Sequence, residues 1–375
     1  MRRIRAALWA LSKFACRWLG PSLIGLAIAL LLFAPLPFGD PSRTTALAGG
    51  IVCAIAWIAA REPERRRWRF FLIVCVVLAL SFAGWRQWEQ KRGYREQIVS
   101  FDNRGARLVG TLYLPDRAGK APGIVWVHGS GAQPRSFEAA HAAHFAQLGF
   151  AVLVYDKRGV GDSGGQFEGG DRAIDPANIE LLASDASTAM SFLAKRPEVR
   201  GDMVGFVGAS QAGWITPRAA ILNGHAAFML LLSAPTTSTH TQMRYERFHI
   251  GRPDPDKGPN LTNAFDAFTR GRIPAPMTAD QADAEAQKRP LDLTCADYDP
   301  VTDLRALAIP GLWLLGDADW MVPSGPTARN IDALRKLGKP YEYRHIPGAW
   351  HSMVFGPKRL VLDTIDTWLT KVAKP

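Results

Sequence analysis

Three residues able to share a proton relay occur along the chain in the order serine, aspartate, histidine. Ser210 lies in Gly208-Ala209-Ser210-Gln211-Ala212-Gly213, Asp319 in Gly316-Asp317-Ala318-Asp319, and His351 in Gly348-Ala349-Trp350-His351. A serine hydroxyl becomes a strong nucleophile only when a base takes its proton, and that base needs an acid to orient it. The chemistry such a set performs is two-step acyl transfer, which needs neither a metal nor an organic cofactor. Asp317 competes with Asp319 for the acid's place. The spacing before Val322-Pro323 favours Asp319 and leaves Asp317 as a turn or capping residue.

A carbonyl under attack becomes an oxyanion, so the site also needs fixed N–H donors. His128-Gly129-Ser130-Gly131 is the segment that can supply one, from the backbone amide of Ser130, and the amide of Gln211 is the second. His128 is expected to hold this loop by hydrogen bonds. Trp214, Trp320 and Trp350 adjoin motif residues and are candidates to line an apolar acyl pocket, against the commoner role of core packing. The charged segment from Tyr155 to Ser163 reads as a loop fixed by internal salt bridges, outside the site.

These groups can meet only if strands deliver them to one rim. Short apolar runs at 97–101, 108–114, 123–127, 151–155, 203–207, 228–233, 311–315 and 341–346 predict eight strands, the first two joined as a hairpin. Helix-length segments at 136–148, 178–195, 211–223, 326–337 and 359–371 alternate with them, which predicts a mostly parallel sheet. The polar, proline-containing stretch 240–298 breaks the alternation and reads as a cap insertion over the sheet, with Ala264, Phe265 and Phe268 at helical spacing. In such sheets reactive groups collect beyond the carboxyl ends of the strands, and each motif follows a predicted strand.

Charge divides the chain. The net charge is +11, yet 15 of the 45 Lys and Arg fall in the first 97 residues, against 5 of the 34 Asp and Glu. The remainder is nearly neutral, which argues against a polyanion-binding catalytic domain and against a nucleic-acid partner. The four cysteines have no metal-ligand spacing. Apolar stretches at about 18–39, 44–60 and 68–86 predict three transmembrane helices, so residues 1–96 read as a membrane region and 97–375 as the catalytic domain. Arg clusters precede the first span and separate the second from the third. Retaining both inside puts the catalytic domain on the outer face of a bacterial inner membrane, although Arg86, Lys91, Arg92 and Arg95 after the third span pull the other way.

Residues from about 97 to 375 resemble the α/β-hydrolase superfamily through H-G-S-G, D-K-R-G-V-G-D-S, G-A-S-Q-A-G, G-D-A-D-W-M-V-P and G-A-W-H, in that order. They look most like bacterial serine esterases and related oligopeptidase-type hydrolases. Ala212 departs from the usual G-x-S-x-G, where a glycine stands. The resemblance implies a serine hydrolase without selecting its substrate; the expected small-molecule or lipid-like ester follows from the predicted anchoring beside a bilayer. A peptidase, an acyltransferase and a membrane-tethered binding module remain as alternatives.

Overall fold

Every residue of the strand Ala121–Val127 is buried, as a strand covered on both faces requires. Ile124 and Trp126 face one layer of helices, Val125 and Val127 the other. The computed structural model describes residues 93–250, 287, 288, 291, 293–317, 319, 321–349, 351, 353 and 358–374. The three predicted spans, most of the insertion beyond residue 250, Trp320 and Trp350 lie outside the described residues. Among the described residues no helix is long and apolar enough to cross a membrane. The chain divides into two units, Met1–Lys91 and Arg92–Pro375, and the described residues belong to the second.

The strands are β1 (Tyr94–Asn103), β2 (Ala106–Pro115), β3 (Ala121–Val127), β4 (Ala151–Tyr155), β5 (Val199–Ala209), β6 (Met229–Leu232), β7 (Gly311–Gly316) and β8 (Tyr341–Ile346). They form one sheet in the order β1-β2-β4-β3-β5-β6-β7-β8. β1 and β2 are an antiparallel hairpin, closed by Arg104 and Gly105 with φ of 43° and 75°, the left-handed pair that a two-residue turn requires. β2 also pairs antiparallel with β4, and the strands from β4 to β8 are parallel, so the sheet is mixed at one edge.

The helices are α1 (Ala139–Gln147), α2 (Pro176–Ala194), α3 (Ala212–Asn223), α4 (Thr239–Ile250), α5 (Val301–Ala306), α6 (Ser324–Lys336) and α7 (Lys358–Ala373). Against one face of the sheet pack Ala183, Met190 and Leu193 of α2 with Ile215 of α3 and Ile331 of α6. Phe145 of α1 and Ile365, Trp368 and Leu369 of α7 cover the other. Each buried Met, Leu, Ile or Phe side chain among these contributes about 1.5–3 kcal/mol, and the Ala183 methyl about half as much or less. α2 starts where Pro176 follows Asp175, whose carboxylate accepts the Ala177 N–H at 2.8 Å. α4 and α5 were not separately legible in the sequence; α4 begins the predicted cap insertion.

Register brings three loops together. Val127 of β3 pairs with Gly208 of β5, and Val125 with Leu153 of β4. Two residues beyond the first pair and four beyond the second, Gly129 therefore lies between Ser210 on one side and Lys157 on the other. β7 and β8 pair Gly316 with Ile346, so Asp319 and His351 leave the same rim nearby.

Candidate active site

Ser210 sits between β5 and α3 with φ of 56°, a left-handed conformation that a non-glycine residue adopts only when its surroundings impose it. The imposing groups are visible. The Ser210 N–H donates to Leu232 O at 3.0 Å, and its carbonyl accepts the Gly213 N–H at 2.9 Å. A Cβ at Gly208 would stand 2.6 Å from the Ala212 Cβ, and one at Gly213 would stand 2.3 Å from Pro235 O. The alanine in the usual glycine's place is therefore accommodated by Gly208, while the close backbone approach falls one residue later, at Gly213.

The three predicted residues converge. His351 Nε2 lies 3.0 Å from Ser210 Oγ, and His351 Nδ1 lies 3.0 and 3.2 Å from the two oxygens of Asp319. Asp319 is nearly inaccessible, its side chain 1% exposed against 18% for His351. Asp319 Oδ1 also accepts the Met321 and Val322 N–H groups, both at 2.9 Å. An ionised acid can only accept, so Nδ1 carries the imidazole proton and Nε2 presents a lone pair to the hydroxyl. Asp317 is elsewhere: its carboxylate accepts the Gly348 N–H at 2.5 Å and ties the strand end to the loop that carries His351.

The Gly129 loop lies against the nucleophile, since a Cβ at Gly129 would be 3.5 Å from that of Ser210. Among the described residues neither the Ser130 nor the Gln211 amide has a hydrogen-bond acceptor, which leaves both free for a ligand oxygen. His128 is buried and its Nε2 meets Tyr155 O at 2.5 Å. Burial, helped by the charge of Lys157, pushes its pKa down to about 3, so the ring is neutral and donates that bond. Trp214 is buried against Ile174 and Ile179, and its indole N–H donates to Thr237 O at 2.9 Å. That is a packing position, not a pocket wall. Among the described residues no three His, Cys, Asp or Glu side chains converge as metal ligands would.

The Tyr155–Ser163 segment, expected to lie outside the site, reaches into it. Its ion pairs are not internal: Asp156 is held by Arg135, and Arg158 by Asp185 of α2. Lys157 turns the other way, into the site. Its Nζ donates to Gly129 O at 2.6 Å, to Gln211 Oε1 at 2.9 Å and more weakly to Gly131 O at 3.4 Å. The strand registers alone carried the signal that Lys157 neighbours Gly129. α4 adds contacts the sequence did not reveal: Tyr245 donates to Asp319 O at 3.1 Å and Gln242 to Met321 O at 2.7 Å. Glu246, hydrogen-bonded by Gln242, lies near enough to sense the charges of His351 and Asp319, and burial pushes its carboxyl pKa up.

Comparison with known proteins agrees with this architecture. A thiohydrolase of Aspergillus aculeatus is 31% identical over 125 residues, covering 33% of this chain and 36% of its own. Acyl-coenzyme A thioesterase 6 of Mus musculus is 25% identical over 250 residues, 60% of this chain and 55% of its own. The chain thus spans between about a third and about half the length of these curated relatives. An esterase of Pyrococcus furiosus superposes with a TM-score of 0.52 at 14% identity, over 75% of this chain and 92% of the other, and shares the fold. The family model for X-Pro dipeptidyl-peptidase (S15 family) matches residues 104–357, from the β1–β2 turn to just past the His351 loop. With most of its length inside that match, the chain belongs to the X-Pro dipeptidyl-peptidase (S15) family, on an α/β-hydrolase fold.

Proposed function

We propose that this protein is a serine hydrolase cleaving carboxylic esters or thioesters through an acyl-enzyme on Ser210, tethered to a membrane by residues 1–96. Ser210 Oγ bonds to the carbonyl carbon while His351 Nε2 takes its proton, and the carbonyl π pair moves onto oxygen. That oxyanion is received by the amides of Ser130 and Gln211. Collapse expels the alcohol or thiol, which takes the proton back from His351, and water activated by the same imidazole releases the acid. Asp319 stays ionised throughout and stabilises the imidazolium.

The observation that carries the reading is the chain of 3.0 Å contacts from Ser210 through His351 to Asp319. The thioesterase and thiohydrolase relatives favour ester or thioester substrates. The family match favours a second reading, cleavage of a peptide bond after proline by the same serine. Steady-state rates on graded acyl esters, acyl thioesters and an X-Pro anilide separate the two. Ester or thioester turnover that disappears in Ser210→Ala supports the proposal, and anilide turnover alone favours the peptidase.

The tether and its orientation rest on the three apolar stretches and on the Arg clusters around the first two. A C-terminal reporter active only outside the cytoplasm tests the placement.

A further inference from the structure

We propose that Lys157 is the positioning residue of the oxyanion hole, its ammonium orienting and strengthening the two amide donors. The proposal rests on the acyl-transfer reading of Ser210. An ammonium has three N–H donors, and Lys157 directs them at Gly129 O, Gln211 Oε1 and Gly131 O. The peptide joining Gly129 to Ser130 is planar and trans, so its C=O and N–H point in opposite directions. Drawing Gly129 O onto Lys157 therefore turns the Ser130 N–H away from the lysine, on the loop that lies against Ser210. The second donor is fixed through its side chain. Gln211 accepts from Lys157 and donates to Ala173 O at 2.5 Å, which clamps the residue whose amide follows the nucleophile. A cation on the carbonyl also polarises the peptide, making its N–H a stronger donor.

The burial of this charge points the same way. Lys157 is 1% exposed, with Phe167 beneath it at 5.5 Å, and among the described residues no carboxylate pairs with it. The charged neighbours are already matched: Asp156 with Arg135, Arg135 also with Asp162, and Arg158 with Asp185. His128, packed on the same strand ends, is neutral. A buried cation without a counter-ion is destabilising in the resting protein, and it gains a counter-charge when an oxyanion forms above the loop. Burial accordingly pushes the Lys157 pKa down to about 7.

The test uses the full chain, a chromogenic short-acyl ester and a trifluoromethyl ketone, which forms an oxyanion adduct on an activated serine. Lys157→Met is expected to lower kcat about 100-fold, with KM within about threefold and ketone affinity falling in step with kcat. A merely structural lysine would not couple ketone affinity to kcat. Wild-type kcat/KM should fall as pH rises through about 7, where the ammonium loses its proton. Gln211→Glu supplies a carboxylate partner, at the loss of the bond to Ala173 O and of some activity, and should move that descending limb to higher pH. If Lys157→Met keeps kcat within about threefold while Ser210→Ala is inactive, the role of Lys157 is overturned and acyl transfer stands. An active Ser210→Ala overturns the reading beneath it. Should Lys157→Met show no cooperative melting, Gln211→Glu decides, and a descending limb that stays in place overturns the proposal.

Discussion

Replacing Asp319 by Asn tests the relay with almost no change of shape, because the surrounding amides dictate how the new side chain must sit. Met321 and Val322 both donate to Oδ1, so the carboxamide oxygen takes that position. Its NH2 then falls where Oδ2 stood, 3.0 Å from His351 Nδ1. An NH2 can only donate, so Nδ1 must become an acceptor and the imidazole proton moves to Nε2. That nitrogen then faces Ser210 Oγ with a hydrogen in place of its lone pair, and the base is lost. The expected loss in kcat is about 10⁴-fold, the size seen for this change in serine-protease triads, or about 5 kcal/mol of barrier. Because the capping hydrogen bonds survive, unfolding free energy should change by less than about 1 kcal/mol. Initial rates with a chromogenic ester, together with urea unfolding of the same preparation, measure both. A folded Asp319→Asn variant with kcat within about tenfold of wild type would refute the tautomer argument.

Gly213→Ala should destabilise by about 1–3 kcal/mol, because the added methyl meets the Pro235 backbone, which cannot rotate aside; a lowered urea midpoint checks it. Arg158→Met leaves the Asp185 carboxylate buried and unpaired and should cost about 3–5 kcal/mol, much of it recovered in the Arg158→Met/Asp185→Leu double variant. An unchanged midpoint in the single variant would contradict that account. His128 ties stability to pH. Its folded-state pKa of about 3 lies below the ordinary value, so the unfolded chain binds the extra proton between them. Its contribution is complete above about pH 6.5 and is lost as pH falls towards 3, with a slope of up to about 1.4 kcal/mol per unit. Unfolding midpoints across that range should fall less steeply in His128→Gln.

The sheet was legible because its central strands are nearly continuous apolar runs bounded by Gly, Pro and Asp, and each of the eight predicted strands has its counterpart. The convergence of Ser210, Asp319 and His351 was legible because each stands a few residues past a strand end, where the chain has little freedom to carry them elsewhere. The departure at Ala212 is explained by the packing of Gly208 and Gly213, which the motif spacing alone does not reveal. Lys157 was misread for a physical reason. Asp156, Lys157 and Arg158 follow the end of β4, where the chain enters a turn, so neighbours that look alike in sequence reach different elements. Which side faces the nucleophile depends on the strand order that places β3 between β4 and β5. The contacts of α4 with the Asp319 loop were equally hidden, since they depend on the path of an insertion without its own periodic signal.

The proposed chemistry requires that Ser210 be activated. The direct measurement is peptide mapping of the purified chain after reaction with a fluorophosphonate, which forms a stable adduct only with an activated serine. One adduct is expected, on the peptide containing Ser210, absent in Ser210→Ala and slowed severely in His351→Ala. Labelling that is absent, or that falls on another serine such as Ser130, would contradict that activation.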